Sequence, residues 1–448
     1  MRVTSKLLSP ALLPVYFFAL TIVIGGLLLH HPASLQTQPI SLLDAMFTSV
    51  SATCVTGLAV VDTSTQFSRF GHTVLLVLIQ IGGLGVMTYA SLVFYLWRRR
   101  VSLTDRIAVG QSLLGDPAFH LGHFLGRIVV VCAGIELAGA IGLHILSKGR
   151  MQGFDAVFHA ISAFCNAGFS TCLGNLTDFA DDWAVNSIIM LLIILGGLGF
   201  YVLLELPALF RIKKTGSAQT HLSWQSAVVL RTSVWLVAIG TVLFFVLEPK
   251  LTGNVSGSLL RAAFQSVSAR TAGFNTIDLG RMTDTSLFVL VLLMFVGGSP
   301  ASCAGGIKTT TLRVLLAFGV AQIKGRDQVV VDGHGVDTST LNKAMSLTIF
   351  AGLLVLASVF VLTITEGANV THEKVDGKFL ELFFEATSAF GTVGLSTGLT
   401  PNLSVPGKLI IMLLMFVGRL GPIVFVTMAQ AWQVREHYRR AEKSMRIG

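Results

Sequence analysis

Charged residues are scarce in this chain of 448 residues. Asp, Glu, Lys and Arg make up 12% of it, against about 25% in soluble domains, whereas 53% of the residues are hydrophobic. No Pro-rich or Ser-rich linker and no low-complexity tract separates the apolar runs. These absences exclude a string of soluble domains and predict one integral membrane domain, residues 1–448.

Cysteine is also scarce. The five cysteines include no C-x-x-C pair, which argues against a disulfide framework or a zinc site. No Ser/His, paired-carboxylate or metal-ligand constellation falls at one depth, so we expect no enzyme, no catalytic residue and no resident cofactor.

The formal net charge of +9 does not indicate nucleic acid as a partner, because the basic residues are unevenly distributed along the chain. They cluster beside one end of the apolar runs, near Arg98, Arg211, Lys324 and Arg435. Under the positive-inside rule that face is cytoplasmic. Both termini are therefore expected in the cytoplasm.

Eight apolar runs reach the length of about 20 residues that a transmembrane helix needs. They lie at residues 8–29, 73–97, 124–146, 185–210, 227–247, 286–322, 345–365 and 409–432. In order they form four pairs and predict four repeats, called units one to four, at residues 1–100, 122–214, 226–324 and 341–437. Short cytoplasmic loops are predicted at residues 98–121, 211–225 and 324–343.

Each unit carries one copy of a glycine-centred motif. The copies are SATCVTGLAV from Ser51, SAFCNAGFST from Ser162, SARTAGFNT from Ser268 and SAFGTVGLST from Ser388. Their glycines, Gly57, Gly168, Gly273 and Gly394, are spaced by about 105 to 121 residues, too far for a solenoid repeat. We interpret this pattern as a fourfold internal duplication.

A short apolar run precedes each motif, at residues 44–53, 154–164, 259–269 and 379–390. Runs of this length are too short to span a bilayer and predict re-entrant half-helices. Asp44 and Asp155 stand where N-caps are expected. The partly negative C-terminus of each half-helix would point towards the membrane centre, which favours a cation there.

The backbone after each half-helix is predicted to be irregular, because it breaks at a glycine. Irregular backbone at membrane depth is tolerated where it is buried in protein or lines a water-filled cavity. Four such segments can converge on one axis, where rings of carbonyls replace the hydration shell of an ion. The alternative, that the glycines serve only helix packing, explains four matching copies less well. The fold predicted is therefore an all-α integral membrane protein, with eight transmembrane helices in four helix–pore loop–helix repeats around a pseudo-fourfold single-chain pore.

The second helix of each unit repeats a glycine motif too, and two copies are modified. Unit three reads GGSPASCAGGIKTTT over residues 297–311, where proline and paired glycines should break the helix. In unit four Arg419 replaces the second glycine, at a cost that implies a cavity or a partner. Our hypothesis is that Arg419 binds the broken stretch of unit three and that both form a cytosolic-side gate. The alternative is a packing arginine paired with a structural carbonyl.

The sequence does not assign a single role to three other charged residues. Lys308 either repels cations in a closed gate or extends along its helix towards the cytoplasm. Arg270 is expected to tether its half-helix rather than face ions. Glu136 suits either a proton relay or a partner on a neighbouring helix.

The predicted outer face is acidic, which would concentrate cations at a pore mouth; the alternative is that these are solvated loops without a steering role. The acidic residues concerned are Asp44, Asp62, Asp155, Asp178, Asp181, Asp182, Glu381 and Glu385.

Together these motifs resemble the Trk/Ktr/HKT superfamily of cation transporters. The resemblance rests on the four glycine motifs, the third reading RTAGFNT from Arg270, on the broken helix of unit three and on Arg419. It covers nearly the whole chain and is closest to the Ktr-type membrane subunit. It implies potassium uptake, often stimulated by sodium, by a homodimer with one pore per protomer in the bacterial plasma membrane. It also implies a cytosolic ring of KtrA-type regulatory subunits that bind ATP or ADP.

The resemblance assigns site residues as well. It implies that potassium binds the carbonyls of a selectivity filter made of Cys54, Val55, Thr56, Gly57, Cys165, Asn166, Ala167, Gly168, Arg270, Thr271, Ala272, Gly273, Gly391, Thr392, Val393 and Gly394. It implies a gate made of Gly297, Gly298, Ser299, Pro300, Ser302, Gly305, Gly306 and Lys308 together with Arg419. Sodium-selective plant relatives carry serine where this chain has Gly57, so potassium is favoured.

A coupled secondary transporter, a K/Na or K/H symporter, is the alternative function, because broken helices near the midplane also bind substrate in such proteins. It predicts inverted or two-part repeats. Four parallel repeats favour the pore.

Overall fold

The computed structural model describes residues 13–96, 121–210, 222–248, 254–367 and 377–421. The predicted loops at 98–121 and 211–225 lie largely outside the described residues, as does the second half of the last predicted span. Within the described ranges the chain is helical apart from turns, short connections and one small hairpin.

Each unit contains an outer helix, a half-helix and an inner helix. Unit one holds α1 (Leu13–His30), α2 (Leu42–Thr53) and α3 (Arg69–Leu96). Unit two holds α4 (Leu121–Leu146), α5 (Gly153–Phe164), α6 (Trp183–Leu198) and α7 (Phe200–Phe210). Unit three holds α8 (Trp224–Leu247), α9 (Val255–Ser268), α10 (Asp284–Phe295) and α11 (Thr309–Ile323). Unit four holds α12 (Thr338–Glu366), α13 (Lys378–Gly391) and α14 (Val405–Leu420). Single helical turns lie at Pro32–Ser34, Thr63–Gln66, Thr177–Phe179, Leu279–Arg281 and Thr400–Asn402.

The four predicted half-helices are present as α2, α5, α9 and α13, but the predicted N-caps are wrong. Ser41 caps α2, and its hydroxyl accepts a hydrogen bond from the Asp44 N–H at 3.1 Å. Gln152 precedes α5 without a side-chain cap. Because both helices begin before the predicted start, Asp44 and Asp155 lie in the first turn, where a carboxylate still favours the helix N-terminus.

A phenylalanine at one repeated position anchors each half-helix in the protein interior. Phe47, Phe158, Phe264 and Phe384 each lie four residues before the motif serine, and none is more than 1% exposed. The half-helices are therefore enclosed by the outer and inner helices of their units.

The inner helices differ from the sequence expectation in one unit. The predicted break in unit three is confirmed, because α10 ends at Phe295 and α11 begins at Thr309. The run 185–210, expected as one straight span, is instead bent by 109° between α6 and α7. Gly199 sits at the bend with φ 94° and ψ 142°, and Gly421 has φ 85° and ψ 140° at the end of α14. Both glycines close the repeated motif, and their positive φ is costly for other residues.

Three described helical stretches are long and apolar enough to cross a membrane, namely Gly126–Leu146, Trp224–Leu247 and Thr338–Glu366. The bent pair α6 and α7 makes a fourth if it counts as one span. This count covers the described residues only and stays below the eight predicted, partly because unit three divides its inner helix into two short ones.

A small hairpin departs from the all-α expectation. β1 (Val330–Val331) pairs with β2 (His334–Gly335) between α11 and α12, and the Trp224 indole N–H donates to Val331 O at 3.0 Å. Asp332 at its turn binds Arg231 on α8 and Arg313 on α11, both at 3.1 Å. Burial alone would raise the pKa of Asp332, but hydrogen bonds and charge from the two arginines outweigh it and hold the pKa below its ordinary value. The hairpin thereby connects the two helices.

Candidate ion pore

The structure brings the four motif glycines together in a closed cycle. A methyl group on Gly57 would lie 2.5 Å from Ala167 O and 3.2 Å from the Cα of Gly168. In the same way Gly168 faces Gly273, with 2.8 Å to its Cα, and Gly273 faces Gly394, with 3.3 Å. Gly394 closes the cycle, with 3.0 Å to the Cα of Gly57. Each unit therefore contacts the next through backbone atoms, and a side chain at any of these glycines would clash.

Each glycine follows a residue with a left-handed backbone two positions earlier. These residues are Val55, Asn166, Thr271 and Thr392, with φ values of 55°, 60°, 71° and 50°. Such values are uncommon for β-branched residues, so the surrounding structure must impose them. The sequence carried no signal for this feature, because three of the four residues prefer extended backbone.

The motif serines brace the segments that lead to the glycines. The carbonyls of Ser51, Ser162, Ser268 and Ser388 accept hydrogen bonds of 2.7–3.0 Å from the residue before each glycine. Their hydroxyls bind the same segments near the glycine. A serine five or six residues before each glycine was the available signal in the sequence, and no role was predicted for it.

The first residues of three predicted filter quartets, Cys165, Arg270 and Gly391, make contacts away from the glycine cycle. Arg270 is buried and donates to the Ser233 hydroxyl on α8 at 3.1 Å, as the tethering role requires. The Cys165 thiol lies 3.9 Å from a carboxylate oxygen of Glu136. A methyl group on Gly391 would lie 2.5 Å from Met294 O on α10.

The inner-helix glycines let each inner helix approach the end of a half-helix. A methyl group on Gly82, Gly196 or Gly418 would overlap the carbonyl oxygen of Thr53, Phe164 or Phe390, respectively. In unit three the matching Gly297 meets Gly305 of its own loop instead. The C-terminal carbonyls of the half-helices in units one, two and four are therefore enclosed close to the cycle, where their partial negative charge favours a cation.

A cavity of about 240 Å³ lies on the other side of the cycle. Its lining residues are Gly57, Ala59, Asn175, Gly273, Asn275, Leu279, Gly394, Leu395, Ser396, Gly398 and Pro401. All of them are at or after a motif glycine, or in the loops that follow. Among the residues that the structure describes, no basic side chain lines the cavity.

The loop that interrupts unit three, residues 297–308, is docked on the bend of unit two. Ser299 N–H donates to Gly197 O at 3.0 Å, and Cys303 N–H donates to Gly196 O at 3.1 Å. In return Ala301 O accepts from Phe200 N–H at 2.9 Å. The bend at Gly199 frees the carbonyls that end α6, and the unit-three loop satisfies them.

The same loop also contacts the predicted filter segment of unit four. A methyl group on Gly305 would lie 3.1 Å from the Thr392 Cβ, and one on Gly306 would lie 3.4 Å from the Gly391 Cα. These residues precede Gly394, so the loop lies at the opposite end of the cycle from the cavity. Among the predicted gate residues, Ser302 Oγ donates to Ser299 O at 2.7 Å, and Pro300 O contacts Gly199.

Arg419 binds the unit-three loop, as the hypothesis required. Its guanidinium donates hydrogen bonds to Cys303 O in the loop and to Gly82 O on α3. It is 8% exposed. One side chain from unit four thus contacts units one and three.

Lys308 and Glu136 have partners on neighbouring backbone and helices. The Lys308 ammonium donates to Ala304 O at 2.7 Å, so it is bound to its own loop. The Gln80 amide donates to both carboxylate oxygens of Glu136, at 3.1 and 3.3 Å. Glu136 thus has an interhelical partner on α3.

Several of the acidic residues assigned to the outer face are engaged rather than free. Asp44 pairs with Lys408 at 2.7 Å, and Asp181 pairs with Arg261 at 2.9 Å. Glu385 is fully buried in α13, where its carboxylate accepts hydrogen bonds from Ser396 and Thr400. These ion pairs reduce the free negative charge that the sequence suggested for this face.

Comparisons with known proteins place this geometry in a family. A family model described as cation transport protein, TrkH, matches residues 16–433. The chain is 42% identical to the Ktr system potassium uptake protein B of Bacillus subtilis over 429 residues, which cover 93% of this chain and 92% of that protein. It is 33% identical to the potassium/sodium uptake protein NtpJ of Enterococcus hirae, covering 99% of this chain and 98% of that one.

A solved structure agrees at the level of the fold. The crystal structure of the potassium transporter TrkH from Vibrio parahaemolyticus covers 94% of this chain and 85% of its own, with a TM-score of 0.76 at 18% identity. The family model and the relatives extend over nearly the whole sequence, and so the chain belongs to the TrkH family of cation transport proteins.

Proposed function

We propose that this chain carries K⁺ across the plasma membrane through a gated pore built by a single chain. The observation that carries the proposal is the closed cycle of Gly57, Gly168, Gly273 and Gly394, in which four units meet through backbone alone. Backbone carbonyls arranged around an axis can replace the hydration shell of K⁺. The name of the Bacillus relative, a potassium uptake protein, supports the choice of ion.

The proposed selectivity filter consists of the four residues that end at each motif glycine, residues 54–57, 165–168, 270–273 and 391–394. Its layers are not chemically identical, because Thr56, Ala167, Ala272 and Val393 precede the glycines. We therefore propose a preference for K⁺ over Na⁺ that is weaker than that of a filter with four identical segments.

The proposed gate is the unit-three loop held by Arg419. Its contacts with the bend of unit two and with Thr392 support this role, since movement of the loop would alter the inner end of the filter. Lys308 is bound to Ala304 O in the present arrangement, which is compatible with a closed gate.

Membership of the family supports a proposal for the wider assembly. We propose eight transmembrane helices in four repeats, with both termini in the cytoplasm of a bacterial cell. The proposed functional unit is a homodimer on a cytosolic ring of KtrA-type subunits that bind ATP or ADP, and the name of the NtpJ relative supports a role for Na⁺ as a stimulating ion.

Flux measurements with the purified chain in liposomes test the proposal. We expect K⁺ to move down its electrochemical gradient and to reverse when the gradient is reversed, without stoichiometric movement of Na⁺ or H⁺. Uphill K⁺ movement driven by a Na⁺ or H⁺ gradient would instead establish the symporter alternative. Rescue of growth at low K⁺ in an uptake-deficient bacterial strain tests the direction of transport in cells.

A further inference from the structure

The four units differ in whether the motif serine donates a hydrogen bond to the carbonyl of the residue that follows the motif glycine. In unit two the Ser162 hydroxyl donates to Phe169 O at 2.8 Å, and in unit three Ser268 donates to Phe274 O. In units one and four the serine hydroxyls instead accept from Gly57 N–H at 3.0 Å and from Gly394 N–H at 3.1 Å. The outer carbonyls of units two and three are therefore held by side chains of their own units. Within the described residues no hydroxyl holds the matching carbonyls of units one and four.

The same two units place an asparagine on the outer cavity. Asn175 follows the filter segment of unit two, and Asn275 lies two residues after Gly273 in unit three. The two segments are joined directly, because Leu176 N–H donates to Asn275 O at 3.1 Å. Units one and four supply no amide side chain to this cavity; their lining residues are Ala59, Leu395, Ser396, Gly398 and Pro401, besides the two glycines.

The hydrogen bonds of both asparagines determine which atom of each side-chain amide is available to bind a ligand. The Asn175 amide nitrogen donates to Gly168 O at 3.4 Å, and that of Asn275 donates to Ile277 O at 3.1 Å. Since the nitrogens are bound to backbone carbonyls, the oxygens are left as acceptors. The Asn175 Oδ1 atom is buried and has no hydrogen-bond partner among the described residues. Because buried polar atoms nearly always have a partner, this acceptor indicates that a ligand binds here.

We propose that the amide oxygens of Asn175 and Asn275 bind a partly hydrated monovalent alkali cation in the outer cavity. This site lies next to the glycine cycle, on its cavity side. The inference rests on the proposed pore. In units two and three these oxygens replace the carbonyls that Ser162 and Ser268 hold, so the outermost ion layer has twofold rather than fourfold character.

Size and charge favour this ligand. A cavity of about 240 Å³ has room for a cation with several waters, since one water takes about 30 Å³ of liquid. The described lining includes no carboxylate, and a neutral oxygen site suits a monovalent ion better than Ca²⁺, whose sites draw on carboxylates.

The test measures K⁺ uptake by the full chain in liposomes as a function of external K⁺. The variants are Asn275→Ala, Asn175→Gly and the double variant; glycine is chosen at 175 because the φ of that residue is 66°. The matched control is Asn402→Ala, an exposed asparagine beside the cavity that does not line it. We expect the half-saturating K⁺ concentration to rise several-fold in each single variant and about tenfold in the double one, with maximal flux unchanged.

A further variant is expected to lower the half-saturating K⁺ concentration, a change that misfolding would not produce. Asn275→Asp adds a carboxylate of the same size, and we expect a lower half-saturating K⁺ concentration together with new inhibition by external Ca²⁺. If the wild type carries K⁺ but the asparagine variants all match Asn402→Ala, the outer site is wrong and the pore stands. If the wild type itself carries no K⁺, the proposed function fails.

Discussion

Arg419 on α14 donates a hydrogen bond to the carbonyl of Cys303, in the loop that interrupts unit three. The same guanidinium reaches Gly82 O on α3, and no carboxylate pairs with it among the described residues. A buried charge held only by backbone carbonyls is costly to separate from them. The loop is therefore fixed to two other units through one side chain.

Replacement of Arg419 by alanine is expected to release the loop. Cys303 O would lose its charged donor, at a cost of about 1–3 kcal/mol for a buried acceptor left without a partner. If the bound loop is the closed gate, basal K⁺ flux in liposomes should rise several-fold. Tracer uptake without any regulatory partner measures this.

The matched control is Arg281→Ala. Arg281 is largely exposed and pairs with the exposed Asp278, so its loss should leave flux unchanged. Equal flux in the wild type, Arg419→Ala and Arg281→Ala would remove Arg419 from the gate.

The repeats made much of the fold predictable. Half-helices, the break in unit three and the contact of Arg419 follow from local signals: short apolar runs, a proline with paired glycines, and a charge in an apolar run. The short apolar runs occur in four copies, which strengthened a signal that one copy would have left ambiguous, whereas the broken stretch and the arginine each occur in one unit.

Features that depend on neighbouring units could not be predicted in this way. The bend at Gly199 is stabilised by carbonyls and amides of the unit-three loop, and Thr392 packs against Gly305 of the same loop. Glu385 was assigned to the outer face because charge alone suggested exposure, whereas Ser396 and Thr400 satisfy it in the interior. Each of these outcomes is set by tertiary contacts.

Substitution of Gly57 by serine tests the glycine cycle. Its Cβ would lie 2.5 Å from Ala167 O, so the first unit must shift relative to the second. We expect a lower K⁺/Na⁺ permeability ratio, because one quarter of each carbonyl layer moves. Reversal potentials or competitive tracer uptake measure it.

Gly149→Ser is the control for backbone strain. Gly149 also has a positive φ, 83°, but no atom lies within 4 Å of an added Cβ. It should lower stability by about 1 kcal/mol and leave the permeability ratio unchanged. An unaltered ratio in Gly57→Ser would contradict the filter assignment.

Alanine variants of two serines on α2 distinguish an effect on filter geometry from an effect on stability. Ser51 Oγ accepts from Gly57 N–H at 3.0 Å, whereas Ser49 Oγ donates to Ile22 O at 2.7 Å, and both serines are buried. Each alanine variant should cost about 1–3 kcal/mol, because a polar group loses its partner. Only Ser51→Ala is expected to reduce K⁺ preference over Na⁺. Equal selectivity loss in both variants would show that the effect is general destabilisation.

Asp332 is expected to stabilise the junction of α8 and α11 in a pH-dependent manner. Its pKa is lower in the folded protein than in the unfolded chain, so its contribution is complete above about pH 4–5 and is lost as the pH falls through the folded pKa. Asp332→Asn removes the charge that binds Arg231 and Arg313 and should lower the melting temperature by a few degrees at pH 7. The difference from wild type should shrink as the pH approaches 3. Asp327→Asn, at an exposed position before the hairpin, is the control and should melt like wild type. A melting difference for Asp332→Asn that is the same at pH 7 and pH 3 would mean that these ion pairs do not hold the junction.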